Sequence, residues 1–345
     1  MSIPNSVPEV SPQKRSEDRS LDLALRPKTF VEYIGQEKIK QNLSILIEAA
    51  KKRGESIEHL LFCGPAGLGK TTLAHLVAHE VGAQIKVTSG PAIEKVGDLA
   101  SILTNLSSGD ILFIDEAHRL NKMIEEVLYP AMESRVLDIV IGKGPSARTI
   151  QLELPPFTLI AATTRMALLS SPLRSRFSGG TYRLDFYSQP NIEAILARSA
   201  GILGVDIDRD AIAIIASRSR FTPRIANRLL KRTRDYAAVH DADIITGEYA
   251  RSALQMLDID EMGLESLDIK ILDTIIRKFS GGPVGVQTLA ASLMEETETI
   301  EDVYEPYMMQ IGFINRTPRG RVATPRAYKH LGLIPPTSDQ TTLDL

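Results

Sequence analysis

The sequence predicts an α/β P-loop core, a parallel sheet with helices on both faces, followed by a small all-helical domain and a C-terminal winged helix. Three observations carry this. An apolar run ends in GPAGLGKT (64–71) and passes directly into helical spacing. Two further apolar runs, 110–114 and 157–162, read as buried strands, and strands that alternate with helices imply a covered parallel sheet. Beyond residue 188 only helical patterns follow, until a basic segment near the C-terminus.

In chain order, residues 1–20 are polar and Pro/Ser-rich, with no apolar signal segment, and read as a disordered tail. Residues 36–53 carry apolar side chains at Ile39, Leu43, Leu46, Ile47 and Ala50, the spacing of one helix face. The run 59–63 is stopped by Gly64 and Pro65, as expected of a buried strand, and a helix resumes over 71–81. Residues 136–154 alternate apolar and polar positions around a Gly-Lys-Gly-Pro turn, which predicts an inserted β-hairpin. Such a hairpin is either an ordinary sheet edge or a partner surface. The core is thus expected over 21–187, with four helices (190–200, 208–218, 222–240, 246–257) in a domain spanning 188–258 and a linker at 258–263. The last domain, 259–335, ends in three helices and a basic hairpin, with 336–345 as a flexible tail. Its third helix places Ile300, Val303, Tyr304, Tyr307, Met308 and Ile311 on one stripe.

The 345 residues are 43% hydrophobic and 24% charged, with a net charge of −3. A polyanion-binding surface must therefore be a local patch. The single cysteine, Cys63, excludes an intrachain disulfide, and no apolar run is long enough for a membrane helix, so a cytoplasmic location is expected.

The loop at 64–71 matches G-x-x-x-x-G-K-[ST] in its strand–loop–helix context. Gly64, Gly67 and Gly69 allow a tight backbone whose N–H groups face phosphate oxygens, at the positive end of the following helix. Lys70 is placed for the β- and γ-phosphates of ATP, Thr71 for Mg²⁺, and Thr72 for the α-phosphate region. ILFIDEAH (111–118) ends a strand in two carboxylates: Asp115 to hold Mg²⁺ through water and Glu116 to polarise the attacking water. His118 is expected to be structural. Thr163, in ATTR, is either a γ-phosphate sensor or a strand cap. SPLRSRF offers Arg174 and Arg176 as an arginine finger or a surface ion pair, and FTPRIANR puts Arg224 at a helix start, as a lid sensor or simply a basic helix. Residues 314–330 carry Arg316, Arg319, Arg321, Arg326 and Lys329 with no acid. The turn is expected to expose Arg316, Arg319 and Arg321 to duplex DNA phosphates without reading sequence.

These motifs occur in the order of an AAA+ ATPase. Together with RPKTFVEYIGQ (26–36), VGDLASILTNL (96–106), EEVLYPAME (125–133), GGPVG (281–285), ETIEDVYEPY (298–307) and RTPRGR (316–321), the chain resembles the RuvB family of Holliday-junction branch-migration motors over 21–334. The resemblance implies an ATP hydrolase that forms a homo-hexameric ring on double-stranded DNA, working with a RuvA-type junction-binding protein and a RuvC-type resolvase. It implies that Leu25, Arg26, Tyr33 and Ile34 border the adenine, and that Glu133, Ser134, Arg135 and Tyr187 line the nucleotide pocket. It selects Arg176 as the trans-acting finger and Arg224 as the lid sensor, and it implies that Ile139, Ile141 and Ile150 dock the RuvA-type partner. Departures from the family pattern stand at Ala66, at an extra residue within 178–180, at Phe221 and at Thr297. A clamp-loader-like AAA+ switch and a non-motor regulator are the competing readings. The first lacks such a winged helix, and the second needs neither Glu116 nor Arg176.

Overall fold

The structure, a computed structural model, describes residues 21, 23–141 and 148–335, and for 139–141 and 148–149 the backbone alone. Five strands form the central sheet: β1 (Leu60–Cys63), β2 (Ile85–Ser89), β3 (Ile111–Asp115), β6 (Thr158–Thr163) and β7 (Thr181–Arg183). They run parallel in the order β2-β3-β6-β1-β7. Side-chain alternation splits β1, β3 and β6 between two apolar cores. Leu60, Phe62, Phe113, Ile160 and Ala162 face the helices Glu37–Arg53 and Lys70–Val81. Leu61, Leu112, Ile114, Leu159 and Ala161 face Val96–Thr104 and Lys122–Glu133. Because β1 and β6 are buried on both faces, their sequences are unbroken apolar runs.

The helical domain consists of Gln189–Leu203, Arg209–Ser217, Pro223–Val239 and Gly247–Met256. Ile192, Leu196, Ile215, Leu229 and Leu254 continue the first of the two cores, so this domain shares its apolar interior with the P-loop side of the sheet. The C-terminal winged helix has a separate core around Ile271, Leu289, Ile300, Met308 and Phe313, with its wing formed by β8 (Ile314–Thr317) and β9 (Gly320–Ala323). The expected linker at 258–263 is a packed corner. Asp260 accepts from the N–H groups of Met262 and Leu264 and lies 2.7 Å from His330. Among the described residues no helix is long and apolar enough to cross a membrane.

Among the described residues the inserted hairpin, β4 (Val136–Ile141) and β5 (Arg148–Glu153), forms its own two-stranded sheet and is not an edge of the central sheet. Leu137 roots it in the core, and Ile150 is 45% exposed. The side chains of Ile139 and Ile141 lie outside the described residues. The expected stripe on the third head helix breaks at Val303, which is 54% exposed. A π-helical turn at Ile300–Tyr304, just ahead of Pro306, inserts extra backbone and rotates Val303 outward. The extra residue after Arg176 is absorbed in a tight turn: Gly179 N–H donates to His59 O at 3.0 Å, and Gly180 (φ +115) passes the chain into β7.

Candidate nucleotide site and its links to the other domains

The carboxyl ends of β1 and β3 open into a cavity of about 580 Å³, roofed by the helical domain. This is where open α/β sheets hold ligands. The P-loop connects β1 to the helix Lys70–Val81, whose first residue follows Gly69 at φ +98. Gly67 is required twice over. Its φ is +81, and a Cβ there would stand 2.7 Å from Thr222 Cγ2, at the start of the roof.

Lys70 is 8% exposed and donates to the carbonyls of Gly64 (2.7 Å) and Pro65 (2.8 Å). Burial pushes its ammonium down to about 8, against the pull of Asp115. The Thr71 hydroxyl donates to Asp115 Oδ2 at 2.9 Å, so the two expected Mg²⁺ residues already meet. Glu116, at φ +49, faces solvent and lies 3.5 Å from Arg119.

Leu25, Arg26, Tyr33, Ile34, Gly67, Gly69, Thr71, Thr72, Tyr187 and Arg224 all line this cavity with Lys70, Asp115 and Glu116. Tyr33 and Tyr187 are joined hydroxyl to hydroxyl at 3.1 Å, and Tyr187 also donates to Leu68 O at 3.2 Å, which fixes the loop's floor. Arg228, Lys231 and Arg232 continue the basic roof beyond Arg224. Ala66 lines the cavity too and departs from the family pattern without a visible consequence. Phe221 stands at φ +52, where glycine is least strained, and is held by packing near Tyr307 of the winged helix.

Three expectations are corrected; Arg176, expected to act on a neighbouring subunit, is not among them. Thr163 does not line the cavity: it is 1% exposed, and its hydroxyl is 3.1 Å from His118 Nδ1. The cavity wall is Thr164, one residue on, where the chain has left the strand. Glu133, Ser134 and Arg135 are exposed and outside their own chain's cavity. Arg176 is outside it as well, held by Glu133 (3.1 Å), Pro172 O (2.7 Å) and the Tyr129 ring (4.5 Å), with its Nε buried and unpartnered. Arg321 is not at an exposed tip. It is 6% exposed and bound by Glu305 and Glu301, whereas Arg316 and Arg319 do face solvent. Arg316 and Arg321 pair directly across the wing and share a face, and the helix behind the wing supplies the carboxylates that hold Arg321.

Sequence reasoning missed Arg198, which donates to Leu25 O (2.9 Å) and Glu32 (3.0 Å) and so anchors the segment bordering the cavity. A basic residue on a helix of undetermined facing gave no signal for it. The short helix beginning at Thr297 precedes an acidic turn in which Asp302 lies 2.7 Å from Arg165, the residue after Thr164.

Three family models match the chain in succession: the Holliday junction DNA helicase RuvB P-loop domain over 25–184, the RuvB AAA lid domain over 187–260 and the RuvB C-terminal winged helix domain over 261–332. The chain is 57% identical over 318 residues to the Holliday junction branch migration complex subunit RuvB of Dehalococcoides mccartyi, covering 92% of this chain and 91% of that protein. It is 58% identical over 324 residues to the subunit of the same name from Chloroflexus aurantiacus, covering 94% and 92%. The solved structure of the Thermotoga maritima RuvB Holliday junction branch migration motor superposes with a TM-score of 0.84 at 51% identity, over 91% of this chain and all of that one.

Proposed function

This chain belongs to the RuvB family of Holliday junction branch-migration ATPases, and from that premise we propose that it hydrolyses ATP to draw duplex DNA through a four-way junction. In this reading residues 21–187 are the ATPase core, 188–258 the lid and 259–335 the DNA-binding head. The observation that carries it is a nucleotide cavity roofed by one domain and ion-paired at its rim to a winged helix, through Arg165 and Asp302.

ATP binds with its phosphates on the P-loop N–H groups and Lys70, and with its base toward Leu25, Arg26, Tyr33 and Ile34. The hydroxyl and carboxylate of Thr71 and Asp115 suit Mg²⁺, Asp115 acting through water. The ion would neutralise charge on the β- and γ-phosphates. Glu116 takes the proton of the attacking water, and Thr164, in place of Thr163, contacts the phosphate end. Arg176 acts on the nucleotide of a neighbouring subunit, along with Glu133, Ser134 and Arg135. This implies a closed ring, and we assign a hexamer. Arg316 and Arg319 hold DNA phosphates, and the 136–154 hairpin, through Ile139, Ile141 and Ile150, docks a RuvA-type protein. A RuvC-type resolvase then acts on the same junction.

The test is steady-state ATP turnover with a four-way junction, with and without a RuvA-type partner, while junction dissociation is followed on a gel. The expected result is stimulation by DNA and partner, with junctions separated only when ATP is present. Nucleotide-dependent binding without sustained turnover would instead favour a clamp-loader-like switch.

A further inference from the structure

The acidic side chains Glu298, Glu301, Asp302 and Glu305 lie along the head helix that includes the π-helical turn Ile300–Tyr304, and their ion pairs show that they share a side of it. This face lies between two basic elements that belong to different domains. On one side is Arg165, which follows the cavity residue Thr164. Its guanidinium is 2.7 Å from Asp302, 3.5 Å from Glu301 Oε2 and 3.9 Å from Glu298. On the other side is the wing: Glu301 Oε1 is 2.9 Å from Arg321 and 3.6 Å from Arg316. The two oxygens of one carboxylate therefore face the ATPase core and the DNA wing.

We propose that Glu301 is a positioning residue that couples the nucleotide site to the DNA wing: Arg165 and Arg316 compete for its charge, so movement of Arg165 sets how much of the Arg316 charge is available to a DNA phosphate. This rests on the reading of the wing as the DNA surface. Arg321 cannot play the variable part, because Glu305 and Glu301 both hold its buried guanidinium. Arg316 can, since its side chain is 57% exposed and its contact with Glu301 is long. Arg165 is equally ready to exchange partners. Its Nη2 is buried without an aligned hydrogen-bond acceptor, 3.5 Å from Glu301. The other end of the link adjoins the cavity: Arg165 follows Thr164 of the cavity wall, and its N–H donates to Thr163 Oγ1 at 3.0 Å.

The sign follows from the competition. When Arg165 holds Glu301, Arg316 is freer to bind DNA. When Arg165 withdraws, Glu301 neutralises Arg316. Arg165→Ala should therefore weaken duplex binding, by about threefold to tenfold, toward the low end of the coupling between neighbours. Asp302→Asn should do the reverse. It removes the shortest contact of Arg165 and leaves that guanidinium to Glu301, so duplex affinity rises. A residue that merely docks the head would give losses of the same sign from both.

The experiment uses the full chain and a labelled duplex, titrated in ADP and in a non-hydrolysable ATP analogue. The expected results are opposite signs for Arg165→Ala and Asp302→Asn, an Arg165→Ala effect that vanishes on a Glu301→Gln background, and a ratio of affinities between the two nucleotides that Glu301→Gln brings to one. Equal losses from Arg165→Ala and Asp302→Asn overturn the coupling, and so does a nucleotide ratio untouched by Glu301→Gln. If Glu301→Gln does not fold, the two single variants decide the matter alone. If Arg316→Ala binds duplex normally in both nucleotides, the wing reading itself falls and the coupling with it. If Arg316→Ala weakens binding but the signs agree, the coupling falls and the wing reading stands.

Discussion

Replacing Arg220 by Met would cut the second polar link between nucleotide site and head while keeping most of the side-chain bulk. Arg220 stands at φ +54 in the turn that leads into the roof helix Pro223–Val239. Its guanidinium donates to Asp268 Oδ2 at 2.5 Å and to Gly263 O at 2.8 Å. Asp268 is fully buried, its Oδ1 has no hydrogen-bond partner, and burial pushes its carboxyl up to about 6 even with Arg220 beside it. Removing one partner of such a pair costs about 3–5 kcal/mol while the other stays charged. The carboxylate has an escape, which is to take a proton. A folded-state pKa raised above the ordinary 3.8 means that the folded protein binds more protons than the unfolded chain. Stability from this group is present at low pH and falls as pH rises to the folded value, by about 1.4 kcal/mol per pH unit. In the wild type that decline is over by about 6. In Arg220→Met the carboxyl climbs further, so the decline continues through neutrality. Hydrogen exchange in the head helix Ser266–Asp273 reads the local opening energy. Protection should fall in the variant at pH 7, and the deficit should be smaller by about 1 kcal/mol at pH 6. A deficit of equal size at both pH values would refute the account, and so would no deficit.

Arg176→Ala should bind ATP normally yet lose about a thousandfold in turnover, the scale of a trans-acting arginine. Mixing it with Lys70→Ala should recover part of the rate, and absence of recovery in a titrated mixture counts against action across subunits. Arg319→Ala should lower the salt slope of duplex binding by about one unit for every sequence. Arg321→Ala should instead loosen the head by about 3–5 kcal/mol, because it strands buried Glu305, read as a lower unfolding midpoint in denaturant. With Lys70 pushed down to about 8, raising the pH above that value leaves the free site's amine neutral. ATP affinity should then decline, by up to about tenfold per pH unit, in a fluorescent-nucleotide titration, and a flat profile to high pH would show that Lys70 stays charged.

What could be read in the sequence was whatever local pattern encodes. β1, β3 and β6 are covered on both faces, so they appear as unbroken apolar runs, and the P-loop glycines mark their own backbone needs. The edge strands β2 (IKVTS) and β7 (TYR) are half exposed, carry no such run and gave no signal. Periodicity found the head helix at 300–311 but not the π-helical turn that carries Val303 outward. Tertiary structure alone decided which of two adjacent threonines faces the cavity, because the last residue of β6 and the bend after it are told apart only by their neighbours. It also decided that Arg321 is a buried structural cation, that Arg176 is held away from its own cavity, and that Arg165 meets Asp302 across 137 residues of chain. A charged side chain reads the same in sequence whether it is solvated or paired. Its partner is fixed only when packing brings distant carboxylates within reach and removes the water that would otherwise screen them.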